Sequence, residues 1–90
     1  MSEGSSFDDL MDFPSVFVFR IICLAQKSLL PTCTAAIEGA IGRNIESYEI
    51  KPSSKGNLQS LRIAILVLEG SEIYNGFSAL ENVEGVKLVI

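Results

Sequence analysis

The sequence contains no histidine and no tryptophan, and its 90 residues include only two cysteines and three prolines. Without histidine there is no imidazole base, so Ser-His-Asp and Cys-His nucleophilic centres and histidine-ligated zinc sites are excluded. Cys23 and Cys33 do not form a C-x-x-C pair, and we interpret both as small buried apolar residues. The active sites most common in small proteins are therefore absent.

Basic side chains are also scarce, since seven Lys and Arg stand against eleven Asp and Glu, for a net charge of −4. An acidic surface repels phosphate backbones, so we expect no nucleic-acid partner. No apolar stretch approaches the ~20 residues of a membrane helix. No basic segment followed by an apolar one opens the chain, which predicts a cytoplasmic protein without membrane contact.

The domain organisation follows from length and composition. Residues 1–12 are rich in serine and acidic side chains, which predicts a flexible acidic N-terminal segment. Its cluster of Asp8, Asp9 and Asp12 is typical of a solvating segment, so we expect neither a metal site nor a cofactor. Residues 13–90 then form a single domain with one core, which at this size gains stability from an assembly partner.

Hydrophobic periodicity predicts the order strand, helix, strand, strand, helix, strand. Apolar alternation marks strands over residues 16–24, 45–51, 58–68 and 86–90, and helical spacing begins at Leu29 and again after Gly70. Ser28 is placed to cap the first helix and Gly42 to end it, while Gly70 and Ser71 are placed to cap the second. This order indicates an α+β fold in which two helices cover one face of a four-stranded antiparallel sheet, with the first and third strands in the centre.

The sheet face opposite the helices is unusually apolar in this arrangement. Alternation assigns it the following side chains of the two central strands: Val16, Val18, Arg20, Ile22, Leu24, Ser60, Arg62, Ala64, Leu66 and Leu68. Because a solvated face is normally polar, we predict that a second copy or another protein covers it. Arg20, Arg62 and Lys87 are candidates to pair with carboxylates or to receive an anionic ligand. The alternative, that they only keep the face soluble, stays open.

The turn before the third strand is a second candidate site. Its residues are Ser53, Ser54, Lys55, Gly56 and Asn57, which could present backbone N–H groups, two hydroxyls and an ammonium to an anion. The glycine spacing of a phosphate-binding loop is missing and no helix follows, so a plain hairpin turn is the alternative.

Three segments carry a resemblance to a known family. The run Lys-Pro-Ser-Ser-Lys-Gly-Asn over residues 51–57, the entry Asp-Phe-Pro over 12–14 and the final Val-Lys-Leu-Val-Ile resemble the YbeD-like family of small bacterial proteins. That family is a domain of unknown function labelled as lipoic-acid-binding regulatory proteins. The resemblance implies a ferredoxin-like βαββαβ two-layer sandwich, similar to ACT domains, in a cytoplasmic protein with no established catalytic activity.

Two functions are compatible with these observations. The first is a noncatalytic regulatory or protein-interaction module that assembles through its sheet, as a homodimer or with another protein. Such a module could bind a small carboxylate metabolite, and the resemblance points to lipoate. The alternative is a small enzyme that uses Lys55 or Arg20 on an anionic substrate such as an acyl phosphate, although residues 24–28 lack the glycine-rich loop of acylphosphatases.

Overall fold

The periodic segments of the chain form four strands and two helices in a computed structural model that describes residues 12–53 and 56–90. The elements are β1 (Ser15–Leu24), α1 (Leu29–Ile41), β2 (Ser47–Pro52), β3 (Leu58–Val67), α2 (Gly70–Glu81) and β4 (Val86–Val89). The predicted N-terminal segment over residues 1–12 lies outside the described residues except for Asp12, which is exposed.

The four strands form one antiparallel sheet in the order β2-β3-β1-β4. β1 and β3 pair along their whole length, from Ser15 opposite Val67 to Leu24 opposite Leu58. β4 pairs only with the second half of β1, and its register shifts between Ile22 and Cys23. The ferredoxin-like architecture predicted from the sequence, with its two most apolar strands in the centre, is thereby confirmed.

The core lies between the two helices and one face of the sheet. Its members alternate along the central strands and recur every three or four residues along the helices. The fully buried side chains are Phe19, Ile21, Cys23, Cys33, Ile37, Leu61, Ile63, Ile65, Val67, Ile73 and Leu80. Burying one large apolar side chain contributes about 1.5–3 kcal/mol, so this set is the main favourable contribution to folding.

Gly76 of α2 lies directly on the Phe19 ring of the sheet. A Cβ atom at Gly76 would meet that ring, with Phe19 Cε1 only 2.9 Å away. Phe77 packs edge-on against the same ring at a centroid distance of 5.3 Å, and Phe17 does so at 4.9 Å. The missing side chain at position 76 therefore lets α2 reach this aromatic cluster.

The two helices have 13 and 12 residues, and neither is long and apolar enough to cross a membrane. α1 ends as predicted, because Gly42 adopts a left-handed φ of 83° and donates its N–H to the Glu38 carbonyl at 2.8 Å. The predicted Ser28 cap is wrong. Ser28 is already in the helical backbone region, whereas a capping residue is extended, and its hydroxyl makes no cap bond.

The start of α2 also differs from the prediction, because Gly70 and Ser71 lie inside the helix. The Glu72 carboxylate instead accepts the Leu68 N–H at 2.7 Å. It also forms a bidentate pair with the Arg43 guanidinium, whose two N–H groups donate at 2.9 and 2.6 Å. Arg43 donates as well to the Leu66 carbonyl at 2.8 Å. This Arg43–Glu72 pair joins the α1–β2 connection, the end of β3 and the first turn of α2.

We expect Gly76→Ala to lower the free energy of unfolding by about 1–3 kcal/mol, because the added methyl group overpacks the Phe19 ring. Gly39→Ala is the matched control, since Gly39 is an exposed α1 residue with no neighbouring atom within 4 Å of the new Cβ. It should stabilise the protein by up to about 1 kcal/mol through helix propensity. Urea unfolding of both variants measures this difference, and equal stability would disprove the close packing.

The Arg43–Glu72 pair predicts a specific dependence of stability on pH. The hydrogen bonds from Arg43 hold the pKa of Glu72 below its usual range in the folded chain. Pairing therefore stabilises the fold above the ordinary carboxyl pKa of about 4.3, and this stabilisation is lost as the pH falls through the lowered pKa.

We expect Glu72→Gln to be less stable than the unsubstituted chain at neutral pH and to approach its stability between about pH 5 and pH 2. Glu84→Gln, a change at an exposed turn residue, is the control and should follow the unsubstituted chain throughout. Urea unfolding at each pH checks this. A constant difference between Glu72→Gln and the unsubstituted chain would mean that the carboxylate charge is not involved.

Candidate site on the open sheet face

One side of the sheet, here called the open face, is turned away from both helices. Alternation places on it the side chains predicted from the sequence, and the β4 residue Leu88 joins them opposite Ile22. Val16, Val18 and Leu88 are 52%, 43% and 54% exposed. Exposed aliphatic side chains on a strand face are typical of a surface that contacts another molecule.

Arg20 and Arg62 lie directly opposite each other in the middle of the open face and form what we call the arginine pair. The N–H and C=O of Arg20 bond to Ile90 on the β4 side. Its pairing with Arg62 is therefore of the non-hydrogen-bonded kind, in which opposing side chains are closest. Like charges at such positions destabilise a sheet, so this arrangement has a cost that the fold does not explain.

Among the described residues, one member of the arginine pair has a counterion and the other has none. The Arg62 guanidinium lies 3.9 Å from the Glu49 carboxylate on β2, where both side chains are well exposed. Among residues 12–53 and 56–90, no carboxylate lies within ion-pair distance of Arg20. The centre of the open face thus carries unbalanced positive charge on a chain whose net charge is −4.

A depression of about 470 Å³ adjoins the arginine pair, and its lining residues are Val18, Arg20, Ser47, Tyr48, Glu49, Arg62 and Ala64. Small-molecule sites commonly have volumes of about 300–1,000 Å³. Guanidinium groups beside the apolar side chains of Val18 and Ala64 suit a ligand with a carboxylate and a short apolar portion.

A second depression, of about 410 Å³, extends the site toward the turn after β2. Its lining residues are Ile22, Lys51, Pro52, Ser53, Leu58, Gln59, Ser60 and Arg62. Arg62 lines both depressions, so the structure brings Ser53 into the neighbourhood of the arginine pair. Lys51 belongs to the same surface although it was not among the predicted site residues, and its position opposite Ser60 follows from the β2–β3 register.

The predicted turn site is engaged in its own hairpin. The N–H of Gly56 donates to the Ser53 hydroxyl at 3.2 Å, and Gly56 has a left-handed φ of 80°. The carbonyl of Asn57 accepts the Ala25 N–H at 3.1 Å, which ties the turn to the end of β1. The Gly56 N–H is thus already used within the turn. Ser54 and Lys55 lie outside the described residues.

Lys87 stands apart from the arginine pair. It is exposed on β4, next to the register shift, and lines a separate depression of about 160 Å³ together with Glu81 of α2. The structure therefore brings Arg20 and Arg62 together, places Ser53 on the neighbouring depression that Arg62 also lines, and leaves Lys87 apart.

Gln59 supports the site in a way that sequence reasoning missed. Its side-chain amide donates to the Leu24 carbonyl at 3.0 Å and to the Gln26 carbonyl at 3.2 Å. These bonds hold the β1–α1 connection against β3. A single glutamine in a strand has no distinctive pattern, so no sequence signal identifies it.

The two cysteines are buried in the core, as predicted. Burial raises the pKa of Cys33 to about 11 and also raises the pKa of Cys23. Both thiols are therefore protonated near neutral pH and are poor nucleophiles. Within the described part of the chain, no three Cys, Asp or Glu side chains are grouped so that they could hold a metal ion.

Comparisons with known proteins identify the family. Residues 8–90 match the family described as "Protein of unknown function (DUF493)". The chain belongs to this family. It is 33% identical over 88 residues to UPF0250 protein IL0958 of Idiomarina loihiensis, covering 98% of this chain and 99% of that protein. It is 31% identical to a UPF0250 protein of Shewanella oneidensis, with 97% and 98% covered. These matches confirm the YbeD-like resemblance.

A solved structure supports the architecture of this DUF493 chain. The solution structure of protein HP0495 from H. pylori superposes with a TM-score of 0.77 and covers 100% of this chain and 96% of that one. The two sequences are only 19% identical, so the likeness concerns the fold alone.

The buried thiols predict that the native protein resists thiol reagents. At about pH 8, close to the pKa of a free thiol, we expect DTNB to modify the thiols of the native chain slowly. The modification rate should not exceed the rate at which the fold opens and exposes them. The same chain in urea is the control and should react at once with both thiols. Immediate reaction of the native chain would show that a cysteine is accessible.

Proposed function

We propose that this DUF493 protein is a noncatalytic regulatory module that binds a small carboxylate at the arginine pair on its open face. The observation that carries the proposal is the position of Arg20, which directly opposes a second arginine and has no carboxylate partner among the described residues. A bound carboxylate relieves this repulsion, so binding and folding favour the same arrangement.

The chemistry of the depression indicates what kind of carboxylate fits. Arg20 and Arg62 offer planar N–H donors that suit a carboxylate. The Glu49 carboxylate in the same depression would repel a second anionic group on the ligand. Val18 and Ala64 provide apolar contact beside these donors. A monocarboxylate with an aliphatic portion matches this surface. The YbeD-like resemblance makes lipoate the first compound to test.

Two features support a binding role over catalysis. Both thiols are buried with raised pKa values, which removes the usual strong nucleophile. The carboxylate that lines the depression, Glu49, already lies 3.9 Å from the Arg62 guanidinium, so it has a partner other than a substrate. The enzyme alternative, hydrolysis of an acyl phosphate, is measured in a separate turnover assay on the same variants.

Calorimetric titration of the protein with lipoate and octanoate tests the proposal, with octanamide as the uncharged control. A ligand at 100 times its dissociation constant should also add ~2.7 kcal/mol to the free energy of unfolding. Arg20→Gln and Arg62→Gln should each weaken binding by about tenfold or more, because hydrogen bonds to charged groups contribute about 1.5–3 kcal/mol. Lys87→Gln removes the same charge from β4 and should leave binding unchanged.

Four results would contradict the proposal. Equal binding of octanamide would remove the role of the carboxylate, and binding that survives both arginine substitutions would move the site elsewhere. Turnover of an acyl phosphate that is lost in Arg20→Gln would favour the enzyme. If no carboxylate binds and sedimentation shows a dimer that Val18→Glu dissociates, the open face is instead an interface between two copies.

A further inference from the structure

β2 carries apolar side chains on the helix side of the sheet that neither helix covers. Tyr48 and Ile50 lie opposite the core residues Ile63 and Leu61, so they point to the helix side. They are nevertheless 58% and 45% exposed, because the helices pack over the central strands and stop short of this edge. Exposed apolar side chains on an unpaired edge strand are a template for strand addition.

The backbone of β2 is free to pair at these same residues. Ser53 donates its N–H to the Leu58 carbonyl, which sets the phase of the β2–β3 ladder. Hydrogen-bonded and non-hydrogen-bonded pairs alternate in an antiparallel ladder, so Glu49 and Lys51 bond toward β3. The N–H and C=O groups of Tyr48 and Ile50 therefore point outward from the sheet.

The β2 sequence is complementary to itself. If a second copy of β2 pairs antiparallel about a two-fold axis at Ile50, each Glu49 lies opposite Lys51 of the second copy. Ile50 then opposes Ile50, and Tyr48 opposes Pro52 of the second copy, so the exposed apolar side chains cover one another. Pro52 has no N–H, so this pair keeps one of its two backbone bonds, from the Tyr48 N–H to the Pro52 carbonyl.

Neighbouring registers lack this match. If the axis lies at Glu49, the two Glu49 carboxylates oppose and repel each other. If it lies at Lys51, the two Lys51 ammonium groups oppose and repel each other. An axis between residues would pair side chains of opposite faces. We propose that a second copy of this chain adds to the β2 edge with its two-fold axis at Ile50, which forms one continuous eight-stranded sheet. This interface lies at the edge and does not depend on carboxylate binding at the open face.

Charge reversal tests both the interface and its register. Sedimentation velocity from micromolar to near-millimolar concentration should show a reversible dimer of the unsubstituted chain. Glu49→Lys and Lys51→Glu should each weaken it by about tenfold or more, although they shift the net charge in opposite directions. The double substitution restores opposite charges across the axis and the original net charge, so it should restore the dimer. Circular dichroism checks that each variant is folded.

A second pair of variants tests the backbone bonds. Ile50→Pro removes an N–H that points away from β3, which an edge strand tolerates, and should abolish the dimer. Ile50→Thr keeps the N–H and should retain a weaker dimer. A monomer at all concentrations would overturn the inference, and so would a double charge reversal that stays monomeric. A dimer that persists in Ile50→Pro would place the interface on another surface.

Discussion

The uninterrupted pairing of β1 with β3 is the constraint on which the rest of the structure depends. Side chains alternate with a period of two, so one register decides the face of every residue on both strands. The register that buries Phe19 against Ile63 also sets Arg20 opposite Arg62. A shift of one residue would turn one of the two strands over and place its guanidinium group in the core. Core packing therefore sets positions 20 and 62 opposite each other, but it does not require arginine at either position.

The strand order and the two faces could be predicted from the sequence because each depends on local periodicity. The helix starts were also predicted closely, at Leu29 and next to Gly70, but the capping residues were not, since capping depends on backbone dihedral angles that residue type only favours. Ser28 has the right side chain in the wrong backbone region, and α2 begins before Ser71. The Arg43–Glu72 pair spans 29 positions, so no local pattern marks it.

In the candidate site, too, the features set by local periodicity could be predicted and the others could not. Arg20 and Arg62 could be placed on the open face because parity along a regular strand assigns them there. Parity fails for Lys87, because the register of β4 shifts beside it. The apolar exposure of Tyr48 and Ile50 was not predicted either, since it depends on where the helices stop over the sheet. Periodicity predicts the side of the sheet on which a side chain lies, but not whether a helix packs over it there.

The Arg43 guanidinium has a consequence for how the molecule opens. It bonds at once to the end of β3 and to the first turn of α2, while its own backbone follows the last turn of α1. Neither strand-helix-strand unit can detach without breaking the same side-chain contacts. The two halves of this fold are thereby linked through one side chain as well as through the shared sheet, and we expect the amide hydrogens of both helices to exchange through a common opening.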